Sequence, residues 1–541
     1  MILKMGGILD LSKTEVVREV RSGNVTIGVI GLGYVGLPLA TLFATEGARV
    51  VGADVSKEII DKVSQGESPI AEHDVMELLQ QDMKPLKSIC PRCAVQLFSN
   101  GKEVFCPHCQ KIAEIDGPNV RLLSANVRGD NLSAKRPKQL SNLLQKVVSS
   151  GMMKATGDIG EAVSIADVVL ITVGTPIDDK NEPNTSALSK ACHSIGRSLT
   201  KDTLVVLKST VSPGTTEDLV APILSDESGL VLGEDFGLSH MPERIKEGMA
   251  LYEFRNLTRI VAGVNERSAH AASYLFSVFP APIHVFRSPR ITETSKLFEN
   301  IYRDVNISLA NELALISQRL GVDIMEVIEA AQTDPKTHFL LPGPGVGGYC
   351  LTKDSFYLTH PSIQKGFTPV LIPTARSLND EMPLQVVKLI GEALNEAGLR
   401  ISESTISLLG LAFKGNSGDL RHTPVIPIAQ QLLSQGARIV AYDPLVDTNE
   451  VYRMVSGIEI ESDLKNAINA ADCVVLTADH AELRKMKVAD IADFEGGLKA
   501  VVDTRHVFDP AEIKRAGFIY RGVGRGSLQP SRTHRSATSC T

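Results

Sequence analysis

Apolar positions along the chain follow two periods, one of two residues and one near 3.6, and their alternation outlines two repeated halves. Near the start, VTIGVIGLGYVGLPLATLFATEGARVVGAD runs from a short apolar strand through a Gly-rich turn into a helical pattern, then a second strand closing on an acid. Near the end, STISLLGLAFKGNSGDLRHTPVIPIAQQLLSQGARIVAYD repeats that order, and Gly47–Asp54 is echoed by Gly436–Asp443. Two βαβ units of this kind predict an α/β fold with two Rossmann-like, doubly wound domains. The second turn is longer and different, so the second domain need not take the same ligand. Between them, 291–321 keeps a helical pattern with no internal Gly or Pro: Leu297, Ile301, Val305, Leu309, Leu313 and Ile316 recur at steps of three and four. The pattern predicts one long central helix, ~45 Å from end to end, and a helix joining two domains in this way predicts a dimer interface.

Composition narrows the class. Of 541 residues, 43% are hydrophobic and 22% charged, which describes a globular protein of two or three domains. No apolar run approaches the roughly 18–20 residues of a membrane span. Lys4 and Asp10 interrupt the leader MILKMGGILDLSKTEVVREV, so it reads as a short amphipathic segment rather than a signal peptide, and a cytosolic location is expected. From Gly522, GVGRGSLQPSRTHRSATSCT offers little to bury and is expected to be disordered.

The first turn carries chemistry. Gly31, Gly33 and Gly36 form a GxGxxG string after an apolar strand and before a helix, and Asp54 ends the next strand. In that context the string is a dinucleotide fingerprint: the glycines allow a tight turn, close approach to a pyrophosphate and close helix–strand packing. Asp54 would bond the ribose hydroxyls and repel a 2′-phosphate, so the expected cofactor is NAD. In LPGPGVGGYCLTKDSF, Cys350 follows a run of glycines and precedes a polar helix start, a setting that favours a thiolate nucleophile. Lys296 and Asn300 lie four apart on the long helix and share a face that could stabilise an oxyanion. Thr175 ends the strand of VLITVGTP, and HMPERIKEG offers Glu243 and Glu247 after another strand, where a carboxylate could act through water as a general base.

GLGYVGLPLA, VGTP, KSTVSPGTT, MPERIKEG, SKLFEN, GPGVGGYCLTKD and GLAFKGNSGDLR occur in one order. In these motifs the chain resembles the UDP-glucose/GDP-mannose dehydrogenase family over nearly its whole length. The resemblance implies two successive NAD-linked oxidations at one site, from a sugar C6 alcohol to an aldehyde trapped as a thiohemiacetal, then to a thioester that water hydrolyses. It makes Cys350 the nucleophile and Lys296 the charge stabiliser. Asn300 and Asp354 would position the water and the lysine, and Glu243 with Thr175 would assist proton transfer. It assigns to the cofactor Gly31, Gly33, Tyr34, Val35, Gly36, Asp54, Thr175, Thr210 and Arg421. To the UDP-sugar it assigns Glu243, Arg244, Lys296, Asn300, Gly347, Phe413 and Lys414. The PER string, RDVNISLANEL and PGPGVGG are similar to the UDP-N-acetylmannosamine branch, with UDP-N-acetylglucosamine and UDP-glucose enzymes as alternatives. That branch often has His before the cysteine, where this chain has Tyr349.

One segment departs from the family. CPRC (Cys90, Cys93) and CPHC (Cys106, Cys109) are separated by twelve residues, which fits two knuckles offering four thiolates to a structural zinc ion, with iron as the alternative metal. This small zinc-ribbon insert is basic: residues 83–150 carry eleven Lys/Arg against four Asp/Glu within a chain of net charge −7. Its two phenylalanines give no base-stacking surface, so nucleic acid is an unfavoured partner. The expected boundaries are a leader (1–22), an NAD-binding domain (23–288) holding the insert (83–143), a central helical dimerisation domain (289–395), a UDP-sugar domain (396–521) and a tail (522–541). Two alternatives compete. A zinc-ribbon regulatory protein on a vestigial dehydrogenase body would have no need of an intact Cys, Lys, Asn and Asp set. A two-electron hydroxyacid dehydrogenase has no use for the cysteine.

Overall fold

The computed structural model describes residues 7–70, 84–89, 96–99, 103–105, 112–116, 119–121, 139–245, 250–469, 471–492 and 497–525. Cys90, Cys93, Cys106, Cys109, Glu247 and residues 526–541 lie outside them. Two compact units divide the chain: Met1–Glu77, Gly129–Ile301 and Lys353–Pro369 form the first, and Leu78–Arg128, Tyr302–Thr352 and Val370–Thr541 the second.

Numbered along the chain, the strands begin with β1 (Thr26–Ile30) and β2 (Arg49–Ala53). The insert supplies β3 (Lys84–Ile89), β4 (Gln96–Ser99), β5 (Glu103–Phe105), β6 (Ile112–Asp116) and β7 (Asn119–Arg121). Then come β8 (Met153–Thr156), β9 (Val168–Ile171), β10 (Leu204–Leu207), β11 (Gly237–His240), β12 (Arg259–Gly263) and β13 (Ile283–Phe286). The last six are β14 (Thr405–Leu409), β15 (Arg438–Tyr442), β16 (Ile458–Ile460), β17 (Cys473–Leu476), β18 (Ala500–Asp503) and β19 (Ile519–Gly522).

In the first unit the sheet order is β13-β12-β11-β10-β9-β1-β2-β8. Pairing is parallel from β8 to β11, and β12 meets β11 antiparallel. Central strands such as VVLI and LVVL are buried at every position, as strands covered on both faces must be. The amphipathic leader belongs to this unit: helix Lys13–Arg21 buries Val16 and Val20, and Asp10 pairs with Arg267. The second unit has the all-parallel order β16-β15-β14-β17-β18-β19.

The repeat extends to individual hydrogen bonds. Gly31 N donates to Ala53 O at 2.8 Å, and Gly410 N donates to Tyr442 O at 2.8 Å. The Thr172 hydroxyl bonds Ile30 O and Gly31 O; the Thr477 hydroxyl bonds Leu409 O and Gly410 O. Leu32 N reaches Asp54 as Leu411 N reaches Asp443.

The central helix spans Pro289–Leu320. Its apolar positions divide between a buried and an exposed face. Leu297 and Ile301 are buried, but further along the inward stripe is Asp304, Ser308, Asn311, Ala314 and Ser317. Phe298, Tyr302, Leu309, Ile316 and Leu320 are exposed instead. Periodicity marks a stripe but not what the stripe faces. Gly522–Arg525, expected to open a disordered tail, is ordered: Val523 is buried, Gly524 O accepts from Ile324 N, and Arg525 donates to Phe508 O. In the insert, β3 to β7 form an antiparallel meander.

Candidate active site

In the first unit the Gly-rich turn follows β1. Gly31 sits at φ +99°, and a Cβ on Gly36 would lie 1.8 Å from Gly31 O, so neither position admits another residue without rearrangement. A Cβ on Gly33 would meet nothing within 4 Å, so the turn presents open space there, as a cradle for a pyrophosphate requires. Tyr34 is exposed beside it, and Val35 caps helix Gly36–Thr45. Asp54 accepts from Leu32 N at 2.7 Å and from Ser56 N at 2.9 Å, which aims its carboxylate along the turn.

Asp443 in the second unit differs. Leu411 N, Ala412 N, Leu445 N, Val446 N and His480 Nε2 all donate to it, and it is buried. Burial raises its pKa, but His480 and the backbone donors outweigh that and hold it below the ordinary carboxylate range. Its oxygens are committed to its own fold, whereas Asp54 keeps lone pairs for a ligand. The residues present therefore fit NAD in the first repeat. Asp54→Ala should raise the KM for NAD about 10- to 100-fold, the loss expected for hydrogen bonds to a charged acceptor, and narrow the preference for NAD over NADP; initial rates with both cofactors check this.

The carboxyl edge of the sheet holds the remaining first-unit candidates. Thr175 is buried and its hydroxyl donates to Thr210 O at 2.7 Å, so these two predicted residues meet. Tyr357 donates to Thr175 O and Pro176 O, tying helix Asp354–Gln364 to that loop. The central helix is anchored by its first turns. Glu293 accepts from Gly214 N, Thr216 N and the Thr216 hydroxyl, and His240 Nδ1 lies 2.8 Å from the Thr292 hydroxyl. These anchors place Lys296 one turn on and Asn300 two turns on, 8% and 3% exposed. Asn300 Nδ2 donates to Asp354 Oδ2 at 2.6 Å, and Lys353 Nζ reaches Asp354 Oδ1 at 3.1 Å. Asp354 thus engages Lys353 rather than Lys296, and Lys296 forms no ion pair among the described residues.

Glu243 is held more firmly than the sequence implied. One oxygen accepts from Arg244 N and Ile245 N, and the other faces Lys208 Nζ at 3.1 Å. Lys208, at the end of the apolar strand LVVL, is buried, and burial pushes its pKa down while Glu243 opposes the shift. A lysine closing a strand in KSTV was a readable signal that sequence reasoning passed over. Arg244 does not point freely outward; it bonds Glu299 and Thr258 O.

His240 carries a pH prediction. Burial depresses its pKa to about 3 from 6.5. The unfolded chain therefore takes up a proton below pH 6.5 that the folded chain refuses until about pH 3. Stability should be complete above pH 6.5 and fall by about 1.4 kcal/mol per pH unit below it. Thermal unfolding against pH should show a shallower slope in His240→Gln.

In the second unit, Cys350 is exposed in the turn that leads to helix Asp354–Gln364, rather than at the helix's first N–H groups. Its loop is suspended from the fold at three points. His506 Nε2 bonds Pro342 O, Gly343 N donates to Asn311 Oδ1, and Gly348 N donates to Arg421 O at 2.8 Å. Asn311 is set in turn by Asn379, which donates to Asp304 beside Arg376, a buried relay that explains the polar stripe of the central helix. A Cβ on Gly347 would lie 2.5 Å from the Phe413 Cβ, and one on Gly348 2.8 Å from the Phe413 ring, so the loop seats directly on Phe413. Lys414 Nζ lies 5.4 Å from the centre of the same ring. Arg505 also escaped the sequence reading; it donates to Phe413 O and Thr477 O and fixes the aromatic residue from behind. Arg421 forms a two-point pair with Asp419.

These two sets of residues match known proteins. The UDP-glucose/GDP-mannose dehydrogenase family matches in three parts: its NAD binding domain over residues 25–88 and 126–279, its central domain over 290–381 and its UDP binding domain over 407–510. The chain belongs to this family. As a member it is an NAD-dependent dehydrogenase of nucleotide sugars, and residues 89–125 fall outside the family's pattern. UDP-N-acetyl-D-mannosamine dehydrogenase of Pyrococcus horikoshii is 31% identical over 93% of this chain and 100% of its own. UDP-N-acetyl-D-glucosamine 6-dehydrogenase of Salmonella typhi is 30% identical over 90% of this chain and 97% of its own. The solved structure of the Pyrococcus horikoshii UDP-D-ManNAc dehydrogenase aligns with a TM-score of 0.73 at 30% identity, over 93% of this chain and 99% of that one. Among the described residues, no helix of this dehydrogenase is long and apolar enough to cross a membrane.

Proposed function

We propose that the protein carries out a four-electron, NAD-dependent oxidation of the C6 alcohol of a UDP-N-acetylhexosamine to the uronate, with UDP-N-acetyl-D-mannosamine the preferred sugar. The observation that carries the reading is an exposed cysteine on a loop seated on Phe413 and Arg421, three residues before Lys353 in a chain that also buries Lys296 and Asn300. Bound NAD supplies the hydride acceptor. Cys350 adds to the C6 aldehyde to give a thiohemiacetal, whose oxidation leaves a thioester that water hydrolyses. Lys296 and Asn300 stabilise the oxygen on which negative charge collects. Phe413 and Lys414, an aromatic face beside a cation, suit a uracil and a phosphate. Glu243 and Thr175 take part in proton transfer, Lys208 keeping the carboxylate oriented.

The sugar preference rests on the PER and PGPGVGG strings and on the names of the relatives, which include both the manno and the gluco configurations. A panel of UDP-sugars tests it: UDP-N-acetylmannosamine should give the highest kcat/KM and two NADH per sugar. Higher turnover of UDP-glucose would overturn the preference, and one NADH per sugar the four-electron reading.

The exposed stripe Phe298, Tyr302, Leu309, Ile316 and Leu320 supports a homodimer formed through the central helix. Structural zinc is proposed for the insert, held by Cys90, Cys93, Cys106 and Cys109. CPRC occupies the connection 90–95 between strands paired at Ile89 and Gln96, and CPHC the connection 106–111 between strands paired at Phe105 and Ile112. Elemental analysis of purified protein should return about one zinc per chain, lost in Cys90→Ser/Cys93→Ser.

A further inference from the structure

We infer that Tyr349 is a positioning residue for the nucleophile: its ring, seated on the Arg421 guanidinium, holds the Cys350 loop against the loop that carries Phe413 and Lys414. The guanidinium carbon of Arg421 lies 5.3 Å from the centre of the Tyr349 ring. That guanidinium cannot turn freely, because Asp419 takes Arg421 Nε at 2.8 Å and Nη2 at 2.6 Å, and Asp419 also accepts from Arg421 N. The cation is therefore held over the ring at a fixed place, where the ring's face attracts it. The backbone fixes the same junction a second time, since Gly348 N donates to Arg421 O at 2.8 Å. Gly348 itself stands at φ +87° against the Phe413 ring, and Thr352 donates its hydroxyl to Gly348 O.

Cys350 is exposed in the turn directly after this ring, so a ring that fixes residue 349 also fixes where the thiol stands. A histidine at 349 would offer a smaller ring, and once protonated would repel Arg421. The latch gives Arg421 a task in the second unit, orienting the thiol's loop, beyond contact with the cofactor.

The inference takes its consequence from the reading of Cys350 as nucleophile, but its test does not depend on catalysis. Purified full-length enzyme is treated with iodoacetamide, and the second-order labelling rate of the Cys350 peptide is read by mass spectrometry. Tyr349→Leu should label about threefold faster or more, the population shift expected when a contact of this strength is lost. Tyr349→Phe keeps the ring and should stay within about twofold of the native rate. Arg421→Gln should match Tyr349→Leu, and the double variant should be no faster than either single change, since both open one latch. A native or slower rate in Tyr349→Leu, equal rates in the Phe and Leu variants, or multiplied effects in the double variant would each overturn the inference. Labelling changes as expected in a chain whose Cys350→Ala variant still forms acid would leave the latch standing and remove the nucleophile.

Discussion

Cys350→Ala is expected to lower uronate formation at least about 10³-fold, the scale of loss when a covalent nucleophile is removed. Among the described residues the other thiols cannot replace it. Cys192 and Cys473 are buried inside the two sheets' packing, and burial pushes the Cys192 thiol up to about 12 and the Cys473 thiol higher. Of the three described cysteines Cys350 alone is exposed, on a loop whose glycines bring backbone against Phe413 with no side chain between. Without the sulfur, oxidation to the aldehyde remains possible but the second hydride transfer has no thiohemiacetal to start from. Single-turnover measurement should therefore give one NADH per sugar or fewer in Cys350→Ala, against two in the native enzyme, with cofactor affinity unchanged. A variant that still releases two NADH per sugar at the native rate leaves the thiol without a chemical role.

What the sequence could reveal depended on how local the physics is. Gly31, Gly33, Gly36 and Asp54 were legible because a tight turn, a close helix contact and a strand-ending acid are decided within thirty residues. The second repeat was legible for the same reason, down to its closing Asp443. The fact that Asp443 is occupied by His480 and four backbone donors was not, because His480 lies 37 residues further on. The central helix shows the limit most clearly. Its apolar stripe marked the helix but not which residues this chain buries: Asn311 and Asp304 face inward, since Asn379 and Arg376 from a distant helix answer their hydrogen-bonding groups. Polar residues in a periodic pattern are solvated or buried according to partners that sequence spacing does not name. Lys208 and Arg505 were missed on the same grounds: each acts through a contact made across the fold, with Glu243 and with the Phe413 carbonyl.

Lys296→Met should separate catalysis from stability by moving them in opposite directions. Lys296 is 8% exposed and forms no ion pair among the described residues, while the neighbouring Lys353 takes Asp354. A buried ammonium without a counter-ion costs stability, and an unbranched apolar side chain of similar length fills the same volume without that cost. The melting temperature of Lys296→Met should therefore be equal to or above the native one, by an amount corresponding to about 1 kcal/mol. Turnover should fall about 10²- to 10³-fold, because the role proposed for that ammonium is to meet the oxygen on which charge develops, and its removal forfeits that stabilisation. The KM for NAD should hold, since Asp54 and the Gly-rich turn are untouched. Asn300→Ala should lose activity without gaining stability, because Asn300 Nδ2 donates to the buried Asp354 carboxylate and its loss leaves that oxygen short of a donor. If Lys296→Met instead loses stability and activity together, the lysine is a structural member of the helix and the oxyanion must be met by another group. A native kcat in a stabilised Lys296→Met would exclude the lysine from the chemistry altogether.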